Sequence, residues 1–444
     1  MRPYKVLLFI FACLAVMAVL CVALPHRVEI GDRSLKWPTL AEVFETEPIA
    51  TLDSLEIPDT PGTPEIIETP ASPDTPDTPA TEAPKPEIVV PKVVVDSTID
   101  CREFLRPFYE VLSESDRQII RVLHYGDSQI EEDRMTQQIR EALQARYGGA
   151  GVGLMPLAQT IPSLSVKQQL FMSERFVLPT QGPRRYMVYA PKRDQRTDKK
   201  YGVMGQMAEM NDSLVSGSED IMAVCTPQGI NARYTKWKIF ADTSVQYTIH
   251  GDTVWLNGKG AVYGLSQQTE TGVIVDNIPM RGCLGTVFTK IDKEQLQTFY
   301  EQENVRLIIL QFGGNAIPSN KNPGTIAGIV KGLRDQVRYL KTCAPEASIL
   351  FIGPSDMLTQ IDGEWQTYPM VPYMDGLLRK MALEENIAYF SLYRWMGGSG
   401  SMLRWQEVGL AGSDGVHFTR AGAKKAGKAV ANWILEGIEM TNNK

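Results

Sequence analysis

Histidine is scarce in this chain of 444 residues: four occur, His26, His124, His250 and His417. Any chemistry that needs an imidazole base near neutral pH must draw on these. Excess positive charge is lacking too. The 45 Lys and Arg are outnumbered by 52 Asp and Glu, for a formal net charge of -7. The basic footprint of a nucleic-acid binder is therefore missing, and no nucleic-acid partner is expected. Of six cysteines, no two have C-x-x-C spacing, which leaves a zinc or thioredoxin-like centre without support. Cys13 and Cys21 lie in an apolar N-terminal stretch. Cys101, Cys225, Cys283 and Cys343 either form two disulfides in an oxidising compartment or remain buried thiols, and the sequence leaves both open. Gly148 to Gly153 is glycine-rich, but no Gly-Lys-Ser/Thr follows and a helical pattern precedes it. A nucleotide-binding loop is excluded on both counts.

Charge is absent from Val6 to Leu24, a run preceded by Arg2 and Lys5. Its length suits a membrane span of about 17–25 residues and exceeds the usual signal-peptide core of about 7–15. Residues 1–24 are expected to be a transmembrane anchor or a signal. The bulk of the chain is then periplasmic, anchored to the inner membrane, or secreted if the signal is cleaved. Residues 25–97 change character. From Pro58 onward they repeat Thr-Pro and Asp-Thr-Pro units, such as Asp59-Thr60-Pro61 and Asp74-Thr75-Pro76. Such a segment cannot bury enough apolar surface to offset the entropy of ordering, so a disordered, extended stalk is expected.

Folded structure is expected from about residue 98. Arg121–Tyr125 reads as a buried strand, and Glu132–Tyr147 as an amphipathic helix with Met135, Ile139, Leu143 and Tyr147 along one stripe. Later strands are expected at Gly272–Ile278, Val305–Phe312, Ser348–Ile352 and Ile387–Phe390. Helices are expected at Ile326–Thr342, Met374–Glu385 and Arg420–Met440. This alternation predicts an α/β fold, a three-layer arrangement with a parallel sheet covered on both faces. The stretch 155–270 lacks helical periodicity. Val245–His250 and Thr253–Asn257, separated by Gly251-Asp252, read as a hairpin. The expected organisation is a catalytic domain in two parts, 98–154 and 271–444, split by a β-rich insertion, 155–270. Carbohydrate binding is one role open to that insertion, through Tyr234, Trp237, Tyr247 or Trp255, although half-buried core aromatics are the plainer reading.

Open α/β sheets bind ligands beyond the carboxyl ends of their strands. The strand ends deliver Gly126-Asp127-Ser128, Arg281-Gly282-Cys283 and Gly313-Gly314-Asn315, and Asp414-Gly415-Val416-His417 precedes the last helix. These residue types suit acyl transfer. A serine hydroxyl is a weak nucleophile until an imidazole takes its proton. A carboxylate must orient that imidazole, and the Asp414-x-x-His417 spacing places both on one loop. Candidate oxyanion donors are the backbone N–H groups of Ser128 and Gly282 and the side-chain amide of Asn315. Each motif alone is more often a plain turn; their order at successive strand ends is what points to a site. His124, inside a strand, reads as a packed supporting residue.

These blocks resemble those of the SGNH/GDSL hydrolase superfamily. Tyr125-Gly126-Asp127-Ser128-Gln129 is similar to its first block, Gly282 to its second, Gly313-Gly314-Asn315-Ala316 to its third and Asp414-Gly415-Val416-His417 to its fifth. The resemblance implies Ser128 as nucleophile, Asp414 and His417 as its triad partners, and Ser128, Gly282 and Asn315 as the oxyanion hole. Gln129 stands where the family usually has leucine or histidine, a departure given little weight. Ala316 replaces the usual aspartate. A narrower likeness, through Ala145–Gly153 after the first helix, is to bacterial peptidoglycan O-acetylesterases. It implies a sandwich-like fold for the β-rich insertion and removal of O-acetyl groups from an envelope polysaccharide, with an acylated polysaccharide as partner and neither metal nor organic cofactor. Two alternatives remain at this stage: an O-acetyltransferase working with a membrane acyl-donor protein, and a non-catalytic glycan-binding protein.

Overall fold

Ile119–Gly126 (β1) is buried along almost its whole length on both faces, mostly apolar but with Arg121 and His124 inside it, the burial pattern of a central parallel strand. In the computed structural model it is flanked by Gly272–Pro279 (β2) and Val305–Gln311 (β3), with Ser348–Ile352 (β4) and Ala388–Phe390 (β5) beyond. The model describes residues 27–30, 33–36, 90, 91, 93, 99–172, 175–176, 186–189, 197–210 and 221–442. The sheet order is β2-β1-β3-β4-β5, all parallel. Chain direction across the sheet reverses at β1, so the gap between β1 and β3 is the topological switch point, where such sheets bind ligands. Register makes the three strands end level: Pro279 and Gln311 both pair with Gly126.

The pleat of β1 sends side chains to two cores. Leu123 and Tyr125 join one formed with Leu296, Val337 and Leu378, which belong to helices Lys293–Gln302 (α2), Pro323–Cys343 (α3) and Met370–Glu384 (α4). Ile120 and Val122 join the other with Ile139, Val430 and Ile434, from Thr136–Tyr147 (α1) and Arg420–Asn442 (α5). This is the expected three-layer α/β arrangement.

Between α1 and β2 the chain leaves the parallel sheet and builds two antiparallel sheets. In one, Gly260–Gln268 pairs with Lys236–Ala241, Met207–Met210 and the short strand Gly153–Met155. In the other, Ile221–Pro227 lies between Val166–Met172 and Thr253–Gly258. A shared apolar core, including Leu170, Ala223, Val254, Leu256, Val262 and Leu265, fills the space between them. The hairpin at 245–258 has His250 opposite Thr253. Buried charge joins this region to the parallel sheet. Arg121 on β1 donates to both carboxylate oxygens of Asp276 on β2 at 3.1 and 2.9 Å and to the side-chain carbonyl of Gln268. Asp276 also accepts the N–H of Leu154 at 2.7 Å. Arg121 and Asp276 are both fully buried, where a charge is tolerated only when paired and hydrogen-bonded.

Several expectations need correction. The helix expected from Glu132 starts at Thr136, because Glu132 and Asp133 take φ of 60° and 65°. That kink turns the Asp133 carboxylate onto buried Arg140, at 2.5 and 3.1 Å, and onto the Ser165 hydroxyl. The stalk expected over 25–97 does not hold at either end. Arg27–Ile30 pairs antiparallel with Arg33–Lys36 in a separate unit, where the sequence alternates apolar and polar residues around Gly31-Asp32. Val90 packs against the core shared with α3 and α4. Val93 lies against Gly376 of α4, where any Cβ would meet its own Cβ at 2.9 Å. The Pro/Thr repeats and the apolar segment 1–24 lie outside the described residues. Among the described residues no helix is long and apolar enough to cross a membrane. Cys101, Cys225, Cys283 and Cys343 are all buried, and none of them is in a disulfide.

Candidate active site

Three loops meet beyond the level ends of β1, β2 and β3. After β1, Asp127 anchors the turn: its N–H donates to Gln311 O of β3 at 3.2 Å, and its carboxylate accepts the N–H of Gln129 at 3.0 Å. Ser128 opens the short 3-10 turn Ser128–Asp133 that follows. After β2, Met280 donates its N–H to Gly126 O at 2.8 Å, and the turn closes with Cys283 N–H to Met280 O at 2.9 Å. Gly282 takes the third position of that turn with φ of +63° and open space around its Cα. A side chain there would be strained and would block approach to the main chain. After β3, the Asn315 amide donates to Asp127 Oδ2 at 3.1 Å and to Cys283 O at 3.2 Å, stitching the three loops together.

The fourth loop comes from the far end of the chain. His417 Nε2 lies 2.8 Å from Ser128 Oγ. On the other side of the ring, His417 Nδ1 is 2.6 Å from Asp414 Oδ2. Asp414 Oδ1 accepts the N–H groups of Val416 at 2.9 Å and His417 at 3.0 Å. With Nδ1 donating to the carboxylate, Nε2 is the ring's acceptor and faces the serine hydroxyl. Burial by itself would raise the Asp414 carboxyl. The hydrogen bonds from the His417 ring and from the two N–H groups outweigh it and bring the group down to about 2. Asp414 therefore stays ionised beside the imidazole at any ordinary pH. The His417 and Asp414 side chains are 39% and 50% exposed, so the relay opens to solvent and a polymer can reach it.

All five residues expected at the site sit on these four loops. The one departure is Asn315: both its N–H groups are engaged, and one must turn from Asp127 or Cys283 before it can meet an oxyanion. Asp127 is buried, and desolvation raises its carboxyl to about 6 against the pull of the Gln129 N–H and of His417. Of the other histidines, His250 is exposed on the hairpin, and His26 lies outside the described residues. His124 is buried on β1, with Nδ1 at 2.8 Å from Thr136 Oγ1 and Nε2 at 3.2 Å from Gln311 Oε1. It packs, as expected, beneath the loops. Sequence reasoning missed the residues that tie the loops together. Gln129, given little weight, reaches the His417 loop with its side chain. Glu131, buried, holds Arg281 beside Gly282 through two hydrogen bonds of 2.6 and 2.5 Å. No local spacing signals either contact.

His124 gives the fold a pH dependence of definite sign. Burial pulls its imidazole down to about 3, with the Gln311 hydrogen bond opposing and the Arg140 charge assisting. The unfolded chain binds that proton near pH 6.5, so between about 6.5 and 3 the unfolded state carries the extra proton. The contribution of His124 is fully present above pH 6.5 and lost as pH falls. The stability of the wild type relative to His124→Gln should therefore decline by up to about 1.4 kcal/mol per pH unit below 6.5. Asp127, raised and of opposite sign, is present in both proteins and cancels in the difference. Urea titrations from pH 7 to 4 measure it; a difference independent of pH would contradict the assignment.

No protein-family model matches the sequence, and no curated protein does. Solved structures do. A peptidoglycan O-acetylesterase is 19% identical and superposes with a TM-score of 0.57 over 78% of this chain and 98% of its own. A carbohydrate acetylesterase from Sinorhizobium meliloti is 16% identical over 37% of this chain and 79% of its own, with a TM-score of 0.28. An acetyl xylan esterase is 15% identical over 37% and 80%, with a TM-score of 0.26. The last two are partial likenesses, confined to little more than a third of the chain. At such low identity the first likeness shows the fold, and it extends over most of both chains: this protein has the α/β architecture of the O-acetylesterase it superposes on.

Proposed function

We propose that the protein is a serine esterase that removes O-acetyl groups from an envelope polysaccharide. One observation carries this reading: the unbroken hydrogen-bonded line from Ser128 Oγ through His417 to Asp414, with spacings of 2.8 and 2.6 Å, at the switch point of the sheet. Ser128 Oγ attacks the acetyl carbonyl while His417 Nε2 takes its proton, and Asp414 stabilises the imidazolium. The tetrahedral oxyanion draws on the N–H groups of Ser128 and Gly282 and on the Asn315 amide once that turns toward it. His417 then protonates the departing sugar oxygen, leaving acetyl on Ser128. Water, deprotonated by His417, attacks that ester and releases acetate.

Three features support the choice of substrate. The architecture is similar over most of its length to a peptidoglycan O-acetylesterase. The triad is open enough for a polymer strand. The antiparallel sheets between α1 and β2 offer a second surface for a glycan, although Trp237 donates to Gly251 O at 3.0 Å and stacks edge-on with Tyr234, so these two serve the local packing. The apolar segment Val6–Leu24 fits an inner-membrane anchor, which would keep the enzyme in the periplasm beside such a substrate.

The full chain should hydrolyse 4-nitrophenyl acetate and release acetate from O-acetylated peptidoglycan. Acetate release measured across a panel of acetylated glycans ranks the substrates. Transfer of acetyl to an added oligosaccharide, with no free acetate, would replace hydrolysis by acyl transfer. No turnover of any acetyl ester would overturn the reading.

A further inference from the structure

Ser128 and His417 are 289 residues apart in the chain, on loops that belong to different elements. Their contact must be enforced by something other than chain connectivity. We propose that Gln129 and Arg134 are positioning residues that staple the Ser128 turn to the His417 loop and so set the distance over which the proton moves. The inference rests on the esterase reading and deepens it.

The side chain of Gln129, the residue that follows the nucleophile, crosses to the His417 loop and grips it on both sides of the imidazole. Its Nε2 donates to Val416 O at 2.8 Å, and its Oε1 accepts from the N–H of Phe418 at 3.5 Å. One planar amide thus holds the residue before His417 and the residue after it. Arg134 closes the staple from the other face. It donates to Ser128 O at 2.7 Å, to Gln129 O at 3.3 Å and to Phe418 O at 3.3 Å. Carbonyls from both loops therefore share one guanidinium, whose fixed fork holds them in one geometry. Gln129 is 9% exposed, and its remaining polar contact is Ser355 Oγ at 3.5 Å. In so buried a place its amide is satisfied chiefly by the loop it holds. Neither residue reaches the hydroxyl or the ring nitrogen, so both act through backbone placement. Leucine at 129 would lack both hydrogen bonds.

A displacement of about 1 Å at a reacting pair costs about 100-fold in rate. Gln129→Met keeps length and volume and removes both hydrogen bonds. In the full chain it should lower kcat on 4-nitrophenyl acetate by about 10–100-fold, leave KM within about twofold and lower the melting temperature by no more than a few degrees. The rate at which a fluorophosphonate labels Ser128 should fall in parallel, because that reaction needs the same proton transfer and no substrate pocket. Gln129→His, which can still donate to Val416 O, should recover most of the loss, and this variant carries the test if the methionine variant does not fold. Arg134→Lys should fall between wild type and Arg134→Ala in kcat. Wild-type kcat in Gln129→Met, a loss expressed only in KM, or no recovery in a folded Gln129→His would overturn the staple. Those outcomes are separable from failure of the esterase reading, in which wild type is inactive or Ser128→Ala keeps its activity.

Discussion

Replacing Ser128 by alanine is expected to lower kcat on 4-nitrophenyl acetate by about 10⁴–10⁶-fold while the protein stays folded. The size follows from the chemistry. Without the hydroxyl there is no acyl-enzyme, and water must attack directly with help only from His417 and the oxyanion donors. The fold should be indifferent, because the Ser128 hydroxyl bonds to an imidazole that is itself part-exposed and can turn to water. The turn around it is held by backbone and neighbours: Asp127 N–H to Gln311 O, Gln129 N–H to the Asp127 carboxylate and Arg134 to Ser128 O. Residues of one catalytic unit are not additive, so Ser128→Ala combined with His417→Ala should be no slower than the worse single variant. Activity within tenfold of wild type in Ser128→Ala, or a further large loss in the double variant, would remove these groups from a common mechanism.

Asp414→Asn should be nearly as damaging, for a reason that involves charge and tautomer together. The Asp414 carboxylate faces two ways: Oδ1 accepts two backbone N–H groups and Oδ2 accepts the His417 Nδ1 proton. An asparagine will keep its oxygen toward the two N–H donors and present its NH₂ to the ring. His417 then has to accept at Nδ1, which puts its proton on Nε2 and aims a donor at Ser128 Oγ. The base is blocked, and the negative charge that stabilises the imidazolium is gone. In an enclosed triad such a change costs about 10⁴-fold. The carboxylate here is half-exposed, and water can screen part of the loss, so about 10³–10⁴-fold is expected. Steady-state kinetics measures this; a loss below tenfold would mean that Asp414 does not orient the base.

The parts of the fold that were readable are those set by local pattern. β1 could be placed because a strand buried on both faces is mostly apolar along its length, and Ser348–Ile352 appears with the bounds expected for the same reason. Asp414 and His417 were legible because three residues of spacing on one loop fix their meeting locally. The helix α1 starts later than its periodicity suggests because nothing in Glu132-Asp133 announces two residues at positive φ, the geometry that turns Asp133 onto Arg140 and onto Ser165, 32 residues on. The hairpin Leu358–Ile361 with Glu364–Thr367 does carry a local signal, Asp362-Gly363, both at positive φ and a strong two-residue loop pair, but its strands are too short and polar to stand out by pattern. Gln129 shows the deeper limit. Its side chain contacts a carbonyl 287 residues away, and no periodicity, motif or composition within reach of residue 129 encodes that contact. What was invisible was therefore not which groups meet beyond the strand ends but what holds them together.

The most direct measurement of the central claim is to treat the full chain with a fluorophosphonate and map the adduct by peptide mass spectrometry. The geometry predicts one stoichiometric adduct on Ser128, formed at a rate that collapses in His417→Ala. An unmodified Ser128 alongside full esterase activity, or an adduct on another residue, would contradict it.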